Sequence, residues 1–197
     1  SSNPANNGTL TINQRAASVT PNAASKVYGD LDPAPLTTGT LTGFLPADNV
    51  TATYSRTAGE TVAGSPFTIN ATLSPVGILS NYNITYNTAN FTITQRPASV
   101  TPNAANKVYG DLDPAPLTTG TLTGFLPADN VTATSSRTAG ETVAGSPYTI
   151  SATLNPAGVL GNYNVTYNTA NFTITGTIVT PSITANNKIY DGNNTAT

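Results

Sequence analysis

The segment Lys26-Val27-Tyr28-Gly29-Asp30-Leu31-Asp32-Pro33 returns unchanged as Lys107 to Pro114, and in altered form as Lys188-Ile189-Tyr190-Asp191-Gly192. Tyr28, Tyr109 and Tyr190 are evenly spaced along the chain. A fixed period of that length, with turn residues at one phase, describes tandem copies of one folding unit rather than a single large domain. The chain is therefore read as two complete units, residues 16–94 and 97–175, with flanking pieces at 1–15 and 176–197. The first piece, through Asn7-Gly8-Thr9-Leu10-Thr11-Ile12, has the phase of a repeat's last strand, and the second opens a following repeat. Both are expected to be parts of further repeats.

Aligning Arg15–Gln95 with Arg96–Gly176 gives only 11 differences. Phe67/Tyr148, Val76/Ala157 and Ile84/Val165 keep apolar character, as a shared core requires. Tyr54/Ser135 does not, which predicts a solvent-facing side chain there.

Histidine, cysteine, methionine and tryptophan are absent, so the usual metal ligands, the commonest general base and every thiol nucleophile are missing. With 8% charged residues and a net charge of −2, there is no basic field for nucleic acid. No apolar run reaches membrane-spanning length. The 37 threonines suit a half-exposed pleated sheet and the 23 asparagines suit turns.

These features predict an all-β chain of small β-sandwich-like modules with little or no helix. A β-grasp unit with one short helix near Pro46 or Ile78 is the alternative. Each unit holds about seven short strands. Phe67 to Leu73 alternates most clearly, placing Phe67, Ile69, Ala71 and Leu73 on one face. Tyr82, Ile84 and Tyr86 share another face, and that run with Phe91 to Thr94 reads as a terminal hairpin of core strands. Between Ile93 and Val100 lie only six residues, one of them Pro97, which predicts a semi-rigid joint.

No catalytic or cofactor-binding set is evident. Asp30 and Asp32, with Asp111 and Asp113 in the second copy, are the metal candidates, because an oxygen-rich loop can hold calcium. Two aspartates running into a proline also suit a plain turn bonded to its own backbone. Arg56 and Glu60 read as an exposed loop pair of little energy. Lys26, with Glu60 as an assisting acid, is the one candidate for an intramolecular Lys–Asn cross-link.

With Val-Tyr-Gly-Asp-Leu-Asp-Pro at its head, Gly43-Phe44-Leu45-Pro46-Ala47-Asp48 in the middle, and Asn81 to Tyr86 and Phe91 to Ile93 at its end, each copy resembles the MBG domain of the YGX type. The stretch Lys188 to Ala196 is similar to the opening of the related YDG type. The resemblance implies tandem arrays in large bacterial surface or secreted proteins, including filamentous-haemagglutinin-like adhesins. It thus implies an extracellular, monomeric stalk whose partners are neighbouring repeats, with host glycan or protein bound through other regions. The alternative is a module that itself binds glycan or host protein by avidity.

Overall fold

Two chain segments organise each module. In the first, Arg15–Pro21 (β1) and Ala24–Val27 (β2) follow one another across Asn22 and Ala23, as do Tyr82–Tyr86 (β6) and Ala89–Thr94 (β7) across Asn87 and Thr88. β1 pairs with β6 and β2 with β7, both in parallel. Gly39–Thr42 (β3) flanks β1 to complete a three-stranded sheet, and Thr51–Arg56 (β4) with Phe67–Ser74 (β5) extends the other sheet in the order β2-β7-β5-β4. The second module repeats this with β8–β14, from Arg96–Pro102 (β8) to Ala170–Thr175 (β14). The computed structural model describes residues 8–184 with Ile189 and Gly192.

The all-β class and the seven strands per module agree with the sequence. Among the described residues the helical content is confined to 3-10 turns, at Pro46–Asp48 and Val76–Asn81 in the first module. The first ends on Asn49 at φ 47°, a left-handed conformation that asparagine tolerates. The alternating faces supply the core, where Val19, Ile69 and Phe91 have no exposed surface. The partly buried Leu36 and Tyr54 pack against the cluster of Ile69, Phe91 and Ile93.

Several expectations are corrected. β6 and β7 do not form a hairpin, because each takes a parallel partner in a different sheet. The face shared by Tyr82, Ile84 and Tyr86 is buried only at its start, and Tyr86 is half exposed. Tyr54 is half-buried, not solvent-facing, since it lies opposite Ala71 on β5 and leans over the core. Residues 8–14 carry no strand. Their counterpart β7 lies between β2 and β5, and alternation without such neighbours leaves the ladder unmade. The Lys188–Ala196 motif lies outside the described residues except at Ile189 and Gly192.

Candidate functional site

Where β2 and β4 end, their last polar side chains turn inward under the Asp32 loop. Lys26 Nζ meets Asp32 Oδ1 at 2.8 Å and also Glu60. The Arg56 fork donates through Nε to Asp32 Oδ2 at 2.6 Å, through Nη2 to Asp32 Oδ1 at 2.9 Å, and through Nη1 to the carbonyl of Gly59 at 2.7 Å. Its guanidinium also lies 4.6 Å from the centre of the Phe91 ring. Both cationic side chains are almost fully buried, at 6% and 7% exposure, so Arg56 and Glu60 are not the isolated surface pair the sequence suggested. Lys107, Asp113, Arg137 and Glu141 rebuild this clasp in the second module.

The electrostatics follow from the bonds. Hydrogen bonds from Arg56, with Lys26 assisting, hold the Asp32 carboxyl down at about 2, against the opposing effect of burial. Asp113 is likewise held at about 2 by Arg137 and Lys107. Burial alone would lower Lys26, but Asp32 and Glu60 outweigh it and raise it. A general acid needs a carboxyl pushed upward, and these are pushed down. The arrangement is a clasp that ties two loops to the sheet. Lys26 makes its side-chain bonds to carboxylates, with no asparagine among its described partners.

The second site lies between the modules. β7 ends at Thr94 and β8 begins at Arg96, which leaves Gln95 as the single residue outside a strand. Tyr28 Oη donates to both carboxylate oxygens of Asp129 at 3.2 Å, and Tyr163 Oη donates to the same carboxylate. The two rings meet edge to face, 5.5 Å apart. The Val62 amide donates to Asn162 Oδ1 at 3.0 Å, and Arg96 Nη1 donates to the Tyr28 carbonyl at 3.3 Å and to Asp30 at 2.9 Å. Gly29 has φ +82° and packs so closely on Leu126 that a Cβ would collide with that side chain. Burial first, then Asp129, raises Tyr28, and the same causes push Tyr163 up to about 12.

The four metal candidates are thereby placed. Asp32 and Asp113 sit in the two clasps, Asp30 pairs with Arg96 across the joint, and Asp111 makes no ion pair among the described residues. Among those residues no three acidic side chains converge on a point that could hold a metal. The joint contacts were not legible in the sequence. Tyr28, Leu126, Asp129 and Asn162 stand in loops and turns, where no periodicity marks a buried face.

The family model for the MBG domain (YGX type) matches residues 17–92 and again 98–173, well over half of the chain. The chain belongs to the MBG domain (YGX type) family. Each MBG match falls on one seven-stranded module, and Tyr28, Gly29 and Asp30, near the head of the first MBG repeat, are among the residues that dock onto the second. Tandem MBG repeats are the content of a repeat-built surface protein. No curated protein matches the chain.

Proposed function

We propose that the two MBG modules are stalk segments of a bacterial cell-surface or secreted adhesin, which hold a distal binding region away from its anchor and carry tension. They act without catalysis, without bound calcium and as a monomer, and the C-terminal segment opens a YDG-type repeat that continues the array. The observation that supports this best is the pairing of the first and last segments of each module. From Arg15↔Tyr82 to Val27↔Thr94 they run parallel at one constant sequence offset, through both sheets. Parallel partners enter at the same end, so the chain arrives beside Tyr82 and leaves beside Val27, at the opposite end of the module. Tension on the two ends then slides these segments past one another and loads the whole ladder in shear, where a hairpin would open one bond at a time.

The two outer faces also support an array. Leu45, Val108, Tyr109 and Val143 are among the exposed large apolar residues, while their counterparts in the other module, Leu126, Val27, Tyr28 and Val62, are half-buried. Each outer face is thus an unpaired half of the same joint.

Single-molecule stretching from residues 15 and 175 tests the stalk reading. Two separate ruptures are expected, each releasing about 25 nm, as roughly 80 residues at about 3.4 Å each require after the folded length is subtracted. Rupture forces should far exceed those of the same module pulled from Thr51 and Ser74, whose antiparallel pair peels open. Equal forces in the two geometries would overturn the reading.

A further inference from the structure

Tyr54 and Ser135 occupy the same place in two otherwise matching modules, and the exchange leaves a space. In the first module the Tyr54 ring leans over the Ile69–Phe91–Ile93 cluster, with its hydroxyl end against Gly39. The groove beside it, about 570 Å³ and more open to solvent, is lined by Leu36, Leu41 and Tyr54 itself, and does not reach Val19 or Ala71. In the second module a cavity of about 310 Å³ opens at this position, and its lining includes Val100 and Ala152, the counterparts of Val19 and Ala71. Pro116, Leu122 and Ala133 are among its apolar lining residues, and Thr118, Thr119 and Ser135 are its hydroxyl-bearing ones. Ser135 lies opposite Ala152 as Tyr54 lies opposite Ala71, so the backbone frame is retained and only the ring is gone.

We propose that this cavity in the second module is a binding site for a free, single-ring phenol. Its occupant follows from the first module, where the same frame carries a half-buried tyrosine side chain. An apolar cavity of about 150 Å³ is already enough to hold a benzene ring. The space here is larger and is lined by the hydroxyl-bearing Thr118, Thr119 and Ser135 as well as by apolar residues, which suits a ring with a polar substituent over a saturated hydrocarbon. With eight non-hydrogen atoms, para-cresol, which is the tyrosine side chain itself, should bind with a Kd on the order of 1 mM.

The test is a titration of the whole chain with para-cresol, followed by amide chemical shifts. Saturable shifts are expected at Val100, Leu122, Ser135 and Ala152, and not at Val19, Leu41, Tyr54 and Ala71. Ser135→Tyr should weaken binding at least tenfold by filling the site with its own ring. Tyr54→Ser should create a second site in the first module, and the dispersed spectrum reports that each variant is folded. N-acetyltyrosinamide, whose backbone atoms must stay outside, should bind more weakly than para-cresol. Absence of saturable shifts at concentrations well above the expected Kd, equal shifts in both modules, unchanged binding in Ser135→Tyr, or tighter binding of N-acetyltyrosinamide would each overturn the proposal.

Discussion

Replacing Arg56 with alanine is expected to destabilise the first module by about 2–3 kcal/mol and to leave the second unaffected. Removing one partner of a buried ion pair costs about 3–5 kcal/mol, because the other charges remain without compensation. Here Asp32 is 34% exposed and Glu60 64% exposed, so water recovers part of that cost. Loss of the guanidinium from the Phe91 ring adds about 1 kcal/mol. Lysine at this position keeps the charge but not the fork that serves Asp32 and the Gly59 carbonyl together, so Arg56→Lys should recover about half of the loss. Hydrogen exchange in β4 and β5, compared with β11 (Thr132–Arg137) and β12 (Tyr148–Asn155), reads the two modules separately. A loss below about 0.5 kcal/mol, the range of an ordinary surface substitution, would mean that the clasp does not hold the module together.

The clasp also sets the acid limit. Asp32 and Asp113 titrate at about 2 in the folded chain, below the ordinary value near 3.9 for an unfolded aspartate. A depressed carboxyl contributes stability that is fully present above about pH 4 and is lost as the pH falls through 2. After allowance for solvent screening, each module should lose roughly 1 kcal/mol between pH 5 and pH 2 on this account. Arg56→Ala should flatten that dependence in its own module only.

The second large effect belongs to the joint. Asp129 accepts from Tyr163 and Tyr28, whereas its counterpart Asp48 accepts from Tyr82 alone among the described bonds. Asp129→Ala therefore removes a contact within its module and another between modules, and Asp48→Ala removes only the first kind. Both should cost about 1–3 kcal/mol of module stability, as unpaired buried hydroxyls do. Only Asp129→Ala combined with Asn162→Ala should release the modules from a common orientation. Residual dipolar couplings give one alignment frame for docked modules and two for released ones. A single frame retained in the double variant would assign the stiffness to Gln95 and its flanking strands instead.

What the sequence disclosed, and what it withheld, has a physical logic. The period at Tyr28, Tyr109 and Tyr190 revealed the repeats, and the alternation at Phe67 to Leu73 revealed the central strand, because both are properties of neighbours along the chain. The partners of β6 and β7 are β1 and β2, at the far end of the repeat. Nothing local distinguishes such a parallel pairing from a hairpin across Asn87 and Thr88. The burial of Tyr54 is hidden in the sequence for a related reason. Its replacement by serine looks like tolerance at a surface, yet the second module keeps its frame and accepts a cavity. The clasp is half visible in the sequence, where Asp32 stands out as a loop carboxylate and Arg56 and Glu60 as a charged pair in one loop. That Lys26 and Arg56 are drawn beneath the loop depends on sheet geometry that spacing does not carry.

Two modules are joined end to end by a single residue, Gln95, and a docked face. Small-angle scattering of the whole chain, with and without chelator, tests this arrangement most directly. A compact globule of this length has a radius of gyration near roughly 16 Å. Two modules of about 80 residues with their centres about 40 Å apart give roughly 23 Å or more. A radius of that size, unchanged by chelator, is the predicted result. A value close to that of the globule, or one that collapses when calcium is removed, would contradict it.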